Sequence, residues 1–144
     1  MSKQKGMQQR IKIWFIDDFE GNLRAWKRGF PPKIAQSCEL RTFLRWNTLK
    51  NELERNRLPD ILFLDYFLAE TYGSDILHWM QQNLRELPVI VAHSSVPQAN
   101  QKMLALGAHC ALKKYRGEEI SSPIQEHFHD LEDIKFLLKY KKIP

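Results

Sequence analysis

Asp60-Ile61-Leu62-Phe63-Leu64-Asp65 sets four consecutive large apolar residues between two aspartates. A strand with one wet face would alternate polar and apolar residues. An unbroken apolar run of this length marks a strand covered on both faces, as in a parallel sheet flanked by helices. The run also ends in a carboxylate, and ligands of open parallel sheets bind beyond the carboxyl ends of the strands.

Working outward, Ile11 to Ile16 is a similar run that stops abruptly at Asp17-Asp18, and Pro88-Val89-Ile90-Val91-Ala92 is another. Cys38 to Phe43 and Ala108 to Leu112 complete a set of five candidate strands. Helical spacing fills the intervals. Leu23, Trp26 and Phe30 recur on one face before Pro31-Pro32 stops the helix. Asn47 is placed to cap a helix carrying Leu49 and Leu53 that runs out near Asn56, and Ser74 to cap one carrying Ile76, Leu77 and Met80. Val96 to Leu106 forms another, ended by Gly107. One last helix carries Ile124, Phe128, Leu131 and Leu138 as a stripe. Five β-α units in sequence predict a doubly wound, flavodoxin-like (βα)5 parallel sheet with strand order 2-1-3-4-5.

The 144 residues, 43% of them hydrophobic, suffice for one core and not for two. The reading is one domain over 11–139, with residues 1–10 a disordered lead and 140–144 a basic tail. The net charge of +5 is spread out except around Lys139-Tyr140-Lys141-Lys142, and it reads as solvated surface; nucleic acid is not an expected partner. Cys38 and Cys110 form no CxxC and no ligand run, which suggests reduced thiols in a cytoplasmic protein. No apolar stretch approaches a membrane span and the N-terminus has no apolar signal core. His127 and His129, two apart on a predicted helix, face different ways and make a poor metal pair.

Three carboxylates close strands that neighbour each other in this order: Asp17 and Asp18 after the first, Asp65 after the third. Converging carboxylates repel unless a cation neutralises them. A hard divalent ion such as Mg2+ takes oxygen ligands and can bridge to a phosphoryl donor. One carboxylate then remains as nucleophile for an aspartyl phosphate. Lys113 or Lys114, after the fifth strand, can bring an ammonium to the phosphoryl oxygens, and Ser94 or Ser95, after the fourth, a hydroxyl. Plainer readings exist for each: Asp17-Asp18 as a helix cap, Lys113-Lys114 as solvated ends.

As a set, these pieces resemble the receiver domain of two-component response regulators, of the chemotaxis (CheY-like) type. They are Phe15-Ile16-Asp17-Asp18-Phe19, Pro59 to Asp65, Gly73, Leu87-Pro88-Val89-Ile90-Val91, and Leu106-Gly107-Ala108 through Lys114. The resemblance covers about Lys12 to Leu138. It implies Asp65 as phosphoacceptor, Mg2+ held by Asp17, Asp18, Asp65 and the Phe67 backbone carbonyl, and Lys114 with Ser94 on the phosphate. It implies a single-domain response regulator in a phosphorelay, a phosphoacceptor that catalyses its own phosphorylation and dephosphorylation rather than an ordinary enzyme. A sensor histidine kinase or phosphotransfer protein would be its donor and a downstream protein its target, with a homodimer left open.

The chain departs from the family pattern at several places. Ala69 stands where a proline is usual, Tyr72 precedes Gly73 in place of an aspartate, and Tyr115 follows Lys114 in place of a proline, so no cis peptide is expected there. Counting from Pro88, the switch hydroxyl falls on His93; Ser94, one step on, is the favoured reading and Ser95 or His93 the others. The family's aromatic switch position falls near Cys110 or Ala111. These departures support an alternative, a receiver-like protein-interaction module that works without phosphorylation. A metal-dependent phosphatase would want a general acid two residues past Asp65, where Phe67 stands.

Overall fold

The computed structural model describes residues 10–115 and 122–142. Five strands, β1 (Ile11–Ile16), β2 (Cys38–Phe43), β3 (Ile61–Leu64), β4 (Val89–Ala92) and β5 (Cys110–Ala111), form one sheet in the order β2-β1-β3-β4-β5. Every pairing is parallel. The helices are α1 (Glu20–Gly29), α2 (Pro32–Ser37), α3 (Trp46–Glu54), α4 (Gly73–Asn83), α5 (Pro97–Ala105), α6 (Pro123–His127) and α7 (Leu131–Leu138), and a 3-10 turn spans Lys139–Lys142. The doubly wound (βα)5 expectation and its strand order are therefore observed.

The central strands are apolar on both sides because each side has its own layer of helices. Ile16, Leu62, Leu64, Ile90 and Ala92 pack with Leu49, Leu53, Ile76, Met80 and Met103 of α3, α4 and α5. Phe15, Ile61, Phe63, Val89 and Val91 pack with Leu23, Trp26, Ile34, Ile124 and Ile134 of α1, α2, α6 and α7. Successive residues of a strand face opposite ways. The residues two past Phe15, Phe63 and Val91 therefore lean to the α1 side at the carboxyl edge of the sheet: Asp17, Asp65 and His93.

Local details correct the sequence reading at five places. Pro31-Pro32 ends α1, but Pro32 also opens α2, since proline's fixed φ suits the first helical position. Asn47 lies inside α3, which begins after Arg45. Ser74 lies inside α4, which begins after Tyr72, whose N–H donates to Asp75 Oδ2 at 3.4 Å. The last predicted helix is two: Phe128 has extended backbone, and Asp130 caps α7 by accepting the Asp133 N–H at 3.2 Å. β5 is two residues long and Cys110 is half-buried rather than buried. The lead expected at 1–10 lies, apart from Arg10, outside the described residues, as do 143–144 of the tail. Arg10 itself donates to the Gln36 carbonyl at 2.7 Å. The described residues contain no cis peptide and two free cysteines. No described helix is long and apolar enough to cross a membrane.

Candidate functional site

Asp17, Asp18 and Asp65 each offer a carboxylate oxygen, and these oxygens lie within 4.8 Å of one another. β1 and β3 are direct neighbours, with Ile16 in register with Leu64, so the residues that follow both strands emerge side by side. Asp17 is fully buried, Asp65 is 4% exposed and Asp18 is exposed. Asp17 does not act as the cap of α1, whose N-cap is Phe19. Its Oδ1 accepts the Phe19 N–H at 2.9 Å, and the Asn22 side-chain amide donates to both its oxygens at 3.2 and 3.1 Å.

Lys114 completes the group. Its ammonium lies 2.5 Å from Asp17 Oδ2 and 3.2 Å from Asp65 Oδ2, with the side chain 13% exposed. Of the two lysines after β5, it is Lys114 that turns in, while Lys113 is exposed.

Burial, more than any neighbour, pushes the Asp65 carboxyl up from 3.8 to about 7. Lys114 opposes that rise, Asp17 adds to it, and the Tyr66 N–H, donating to Asp65 Oδ1 at 2.9 Å, opposes it weakly. Near neutral pH the Asp65 carboxyl therefore exchanges readily between its protonated and charged forms.

The loop after β3 fixes Asp65 from below. Gly73 N–H donates to the Tyr66 carbonyl at 2.7 Å, and a Cβ on Gly73 would sit 2.2 Å from the Asp65 backbone oxygen. Only glycine allows α4 to begin against the backbone of Asp65. Phe67 is exposed on this loop and forms an antiparallel bridge with Tyr72.

The loop after β4 brings His93 rather than a hydroxyl level with Asp65. Leu64 is in register with Ala92, and the His93 N–H donates to the Leu64 carbonyl at 2.9 Å. The imidazole is 2% exposed and meets Phe15 and Phe63 edge-on, with ring centroids 5.2 and 5.4 Å away. Its Nδ1 lies 2.5 Å from the Leu112 carbonyl, so Nδ1 carries the proton, because a carbonyl only accepts. Burial pushes its pKa down to about 3; the Leu112 carbonyl opposes that and Lys114 adds to it, so the ring is neutral. Ser94, also buried, accepts the Val96 N–H at 3.1 Å through Oγ and keeps a hydroxyl proton to donate. Ser95 is half-buried.

The three carboxylates, and Lys114 as the family resemblance implies it, lie together in the structure; Asn22, in the first turn of α1, is not singled out by the sequence and is found only by asking what holds Asp17. Nor does the sequence single out Asn100, a buried amide whose Oδ1 accepts the Ser94 N–H at 2.9 Å and whose Nδ2 donates to the Ser94 carbonyl at 3.0 Å.

The donor set fits a hard divalent cation. Carboxylate oxygens converge from one exposed and two buried residues, and nitrogen and sulfur ligands are not part of the cluster.

No protein-family model matches the chain, and no curated protein sequence matches it. Solved structures do. A CheY-like response regulator receiver domain protein from Methanospirillum hungatei matches with TM-score 0.68 at 16% identity, over 93% of this chain and 98% of that one. The signal receiver domain of a response regulator from Bermanella marisrubri matches with TM-score 0.67 at 20% identity, over 90% and 99%. The response regulator DrrB of Thermotoga maritima matches with TM-score 0.61 at 19% identity; 75% of this chain is covered, and it spans 47% of that protein's chain. The chain has the flavodoxin-like fold of response regulator receiver domains.

Proposed function

We propose that the chain is a response regulator receiver domain that accepts a phosphoryl group on Asp65 in a phosphorelay. The observation that carries this reading is the convergence of Asp17, Asp18 and Asp65 within 4.8 Å at the carboxyl edge of the sheet, with Lys114 on two of them. The fold alone would not carry it, since one fold hosts many functions.

Asp17 and Asp18, with Asp65 and the Phe67 carbonyl, hold Mg2+ in this proposal. When bound, the ion supplies charge neutralisation at the equatorial oxygens of the transferring phosphoryl group. Asp65 is the nucleophile: a carboxylate oxygen forms the new bond to phosphorus. The bond from phosphorus to the donor breaks, and the donor leaves with that electron pair and takes up a proton. The Asn22 amide keeps Asp17 oriented, and Lys114 turns its ammonium from the carboxylate pair to the phosphoryl oxygens. Ser94 supplies the hydroxyl donor of the loop. The donor is a histidine kinase or phosphotransfer protein, and the output is a changed affinity for a downstream protein.

The test is incubation with acetyl phosphate and MgCl2, read by intact mass. Wild type is expected to gain one phosphoryl group in a Mg2+-dependent manner, and Asp65→Asn to gain none. No gain by wild type at any Mg2+ concentration overturns the reading.

One observation favours the second reading, an interaction module that works without phosphate. The residue level with Asp65 is His93, and its ring Nδ1–H is already given to the Leu112 carbonyl. A negative result in the same assay selects it.

A further inference from the structure

The contact between β4 and β5 is the shortest pairing in the sheet, yet it has to aim Lys114. Only Val91↔Cys110 and Ala92↔Ala111 are paired. Beyond them the ladder runs on through two bonds: Leu112 N–H donates to the Ala92 carbonyl at 2.9 Å, and Lys114 N–H to the Ser94 carbonyl at 3.0 Å. In a parallel ladder the Leu112 carbonyl would take the Ser94 N–H in return. That N–H is given instead to Asn100 Oδ1, at 2.9 Å. The carbonyl of half-buried Leu112 would be left without its ladder donor two residues before Lys114, and a carbonyl shielded from water without a donor is costly. The His93 Nδ1–H fills the place at 2.5 Å.

We propose that His93 is a positioning residue: its Nδ1–H replaces the missing ladder bond to Leu112, fixes the end of β5, and so holds the Lys114 ammonium on Asp17 and Asp65. The inference rests on the function proposed above only in that Lys114 is there the phosphate-binding cation. The imidazole is well suited to the work. It is wedged between Phe15 and Phe63, so its direction is set by packing, and its neutral form presents one N–H to one carbonyl.

The test measures how well Lys114 is held, without any phosphodonor, so its failure and the failure of phosphoryl acceptance are told apart. Full-length protein in metal-free buffer is acylated with an N-hydroxysuccinimide ester, and Lys114 labelling is read by peptide mass spectrometry against exposed Lys113. Wild-type Lys114 is expected to label slowly. His93→Phe keeps a ring and loses the donor; it is expected to raise Lys114 labelling about tenfold, as loss of one hydrogen bond at the end of a strand would. His93→Asn shortens the side chain but keeps an N–H near the place of Nδ1, and it is expected to label like wild type. A packing role alone predicts the opposite order. His93→Phe labelling like wild type, or His93→Asn rising as far as His93→Phe, overturns the proposal. If circular dichroism shows that His93→Phe does not fold, His93→Leu serves as the variant without a donor.

Discussion

Asp65→Asn is expected to make the metal-free protein more stable above pH 7, even though it removes the proposed phosphoacceptor. The Asp65 carboxyl is raised from 3.8 to about 7, first by burial, so the folded state holds a proton that the unfolded chain has lost. For a carboxylate raised in this way, stability is highest below the unfolded value. It falls as the pH climbs from about 4 to about 7 and then levels off. A shift of about three units is worth roughly 4 kcal/mol at most, and Lys114 and Asp17 share in it. Asparagine keeps the shape and the acceptor for the Tyr66 N–H but carries no charge. The melting temperature at pH 8 should rise by on the order of 5–10 °C and at pH 4 should hardly change. Mg2+ should stabilise wild type and have a much smaller effect on the variant. Thermal melts at the two pH values, with and without Mg2+, check this.

Lys114→Met is expected to have the opposite sign and an even larger effect at high pH. It removes the ammonium that lies 2.5 Å from Asp17 and 3.2 Å from Asp65, and it leaves two buried carboxylates facing each other. Removing one partner of a buried ion pair costs about 3–5 kcal/mol. Without Lys114 the Asp65 carboxyl is pushed further up, so as the pH falls it takes up a proton and spares part of this, and the loss in melting temperature should be smaller at pH 5.5 than at pH 8. Mg2+ should recover part of the loss by neutralising the same oxygens. Phosphoryl uptake from acetyl phosphate should slow by roughly 100-fold, in line with the loss of one charge-stabilising donor. Melts at the two pH values and a time course by intact mass check both parts.

Architecture was legible because it is written in contiguous runs. Ile61 to Leu64 and Val89 to Ala92 are short, apolar and bounded by polar residues or proline, and such segments have few alternatives. Asp17, Asp18 and Asp65 were legible for a related reason: each stands directly after a strand, and strand order places those ends together. What escaped the reading depends on packing across distant segments. Asn22 matters only because Asp17 lies against the first turn of α1. Pro32 opens a short helix whose Ile34 packs into the α1 side of the sheet, a contact no local pattern announces. The break between α6 and α7 turns on Asp130 capping, within a stripe of apolar residues that reads as continuous. Position 93 was the least legible. Counting along the strand gave histidine where the resemblance asked for a hydroxyl, and only the pairing of Leu64 with Ala92 shows that the count was in register. The job of that imidazole becomes visible once Asn100 is seen to take the Ser94 N–H.

In the proposed reaction Asp65 becomes an acyl phosphate. Borohydride reduces an aspartyl phosphate to homoserine and leaves a free carboxylate untouched. Treating the protein with acetyl phosphate and MgCl2, then borohydride, and sequencing the peptide that contains β3 by tandem mass spectrometry should place homoserine at position 65 and at no other aspartate. Homoserine at Asp17 or Asp18 instead, or at no position, would contradict it.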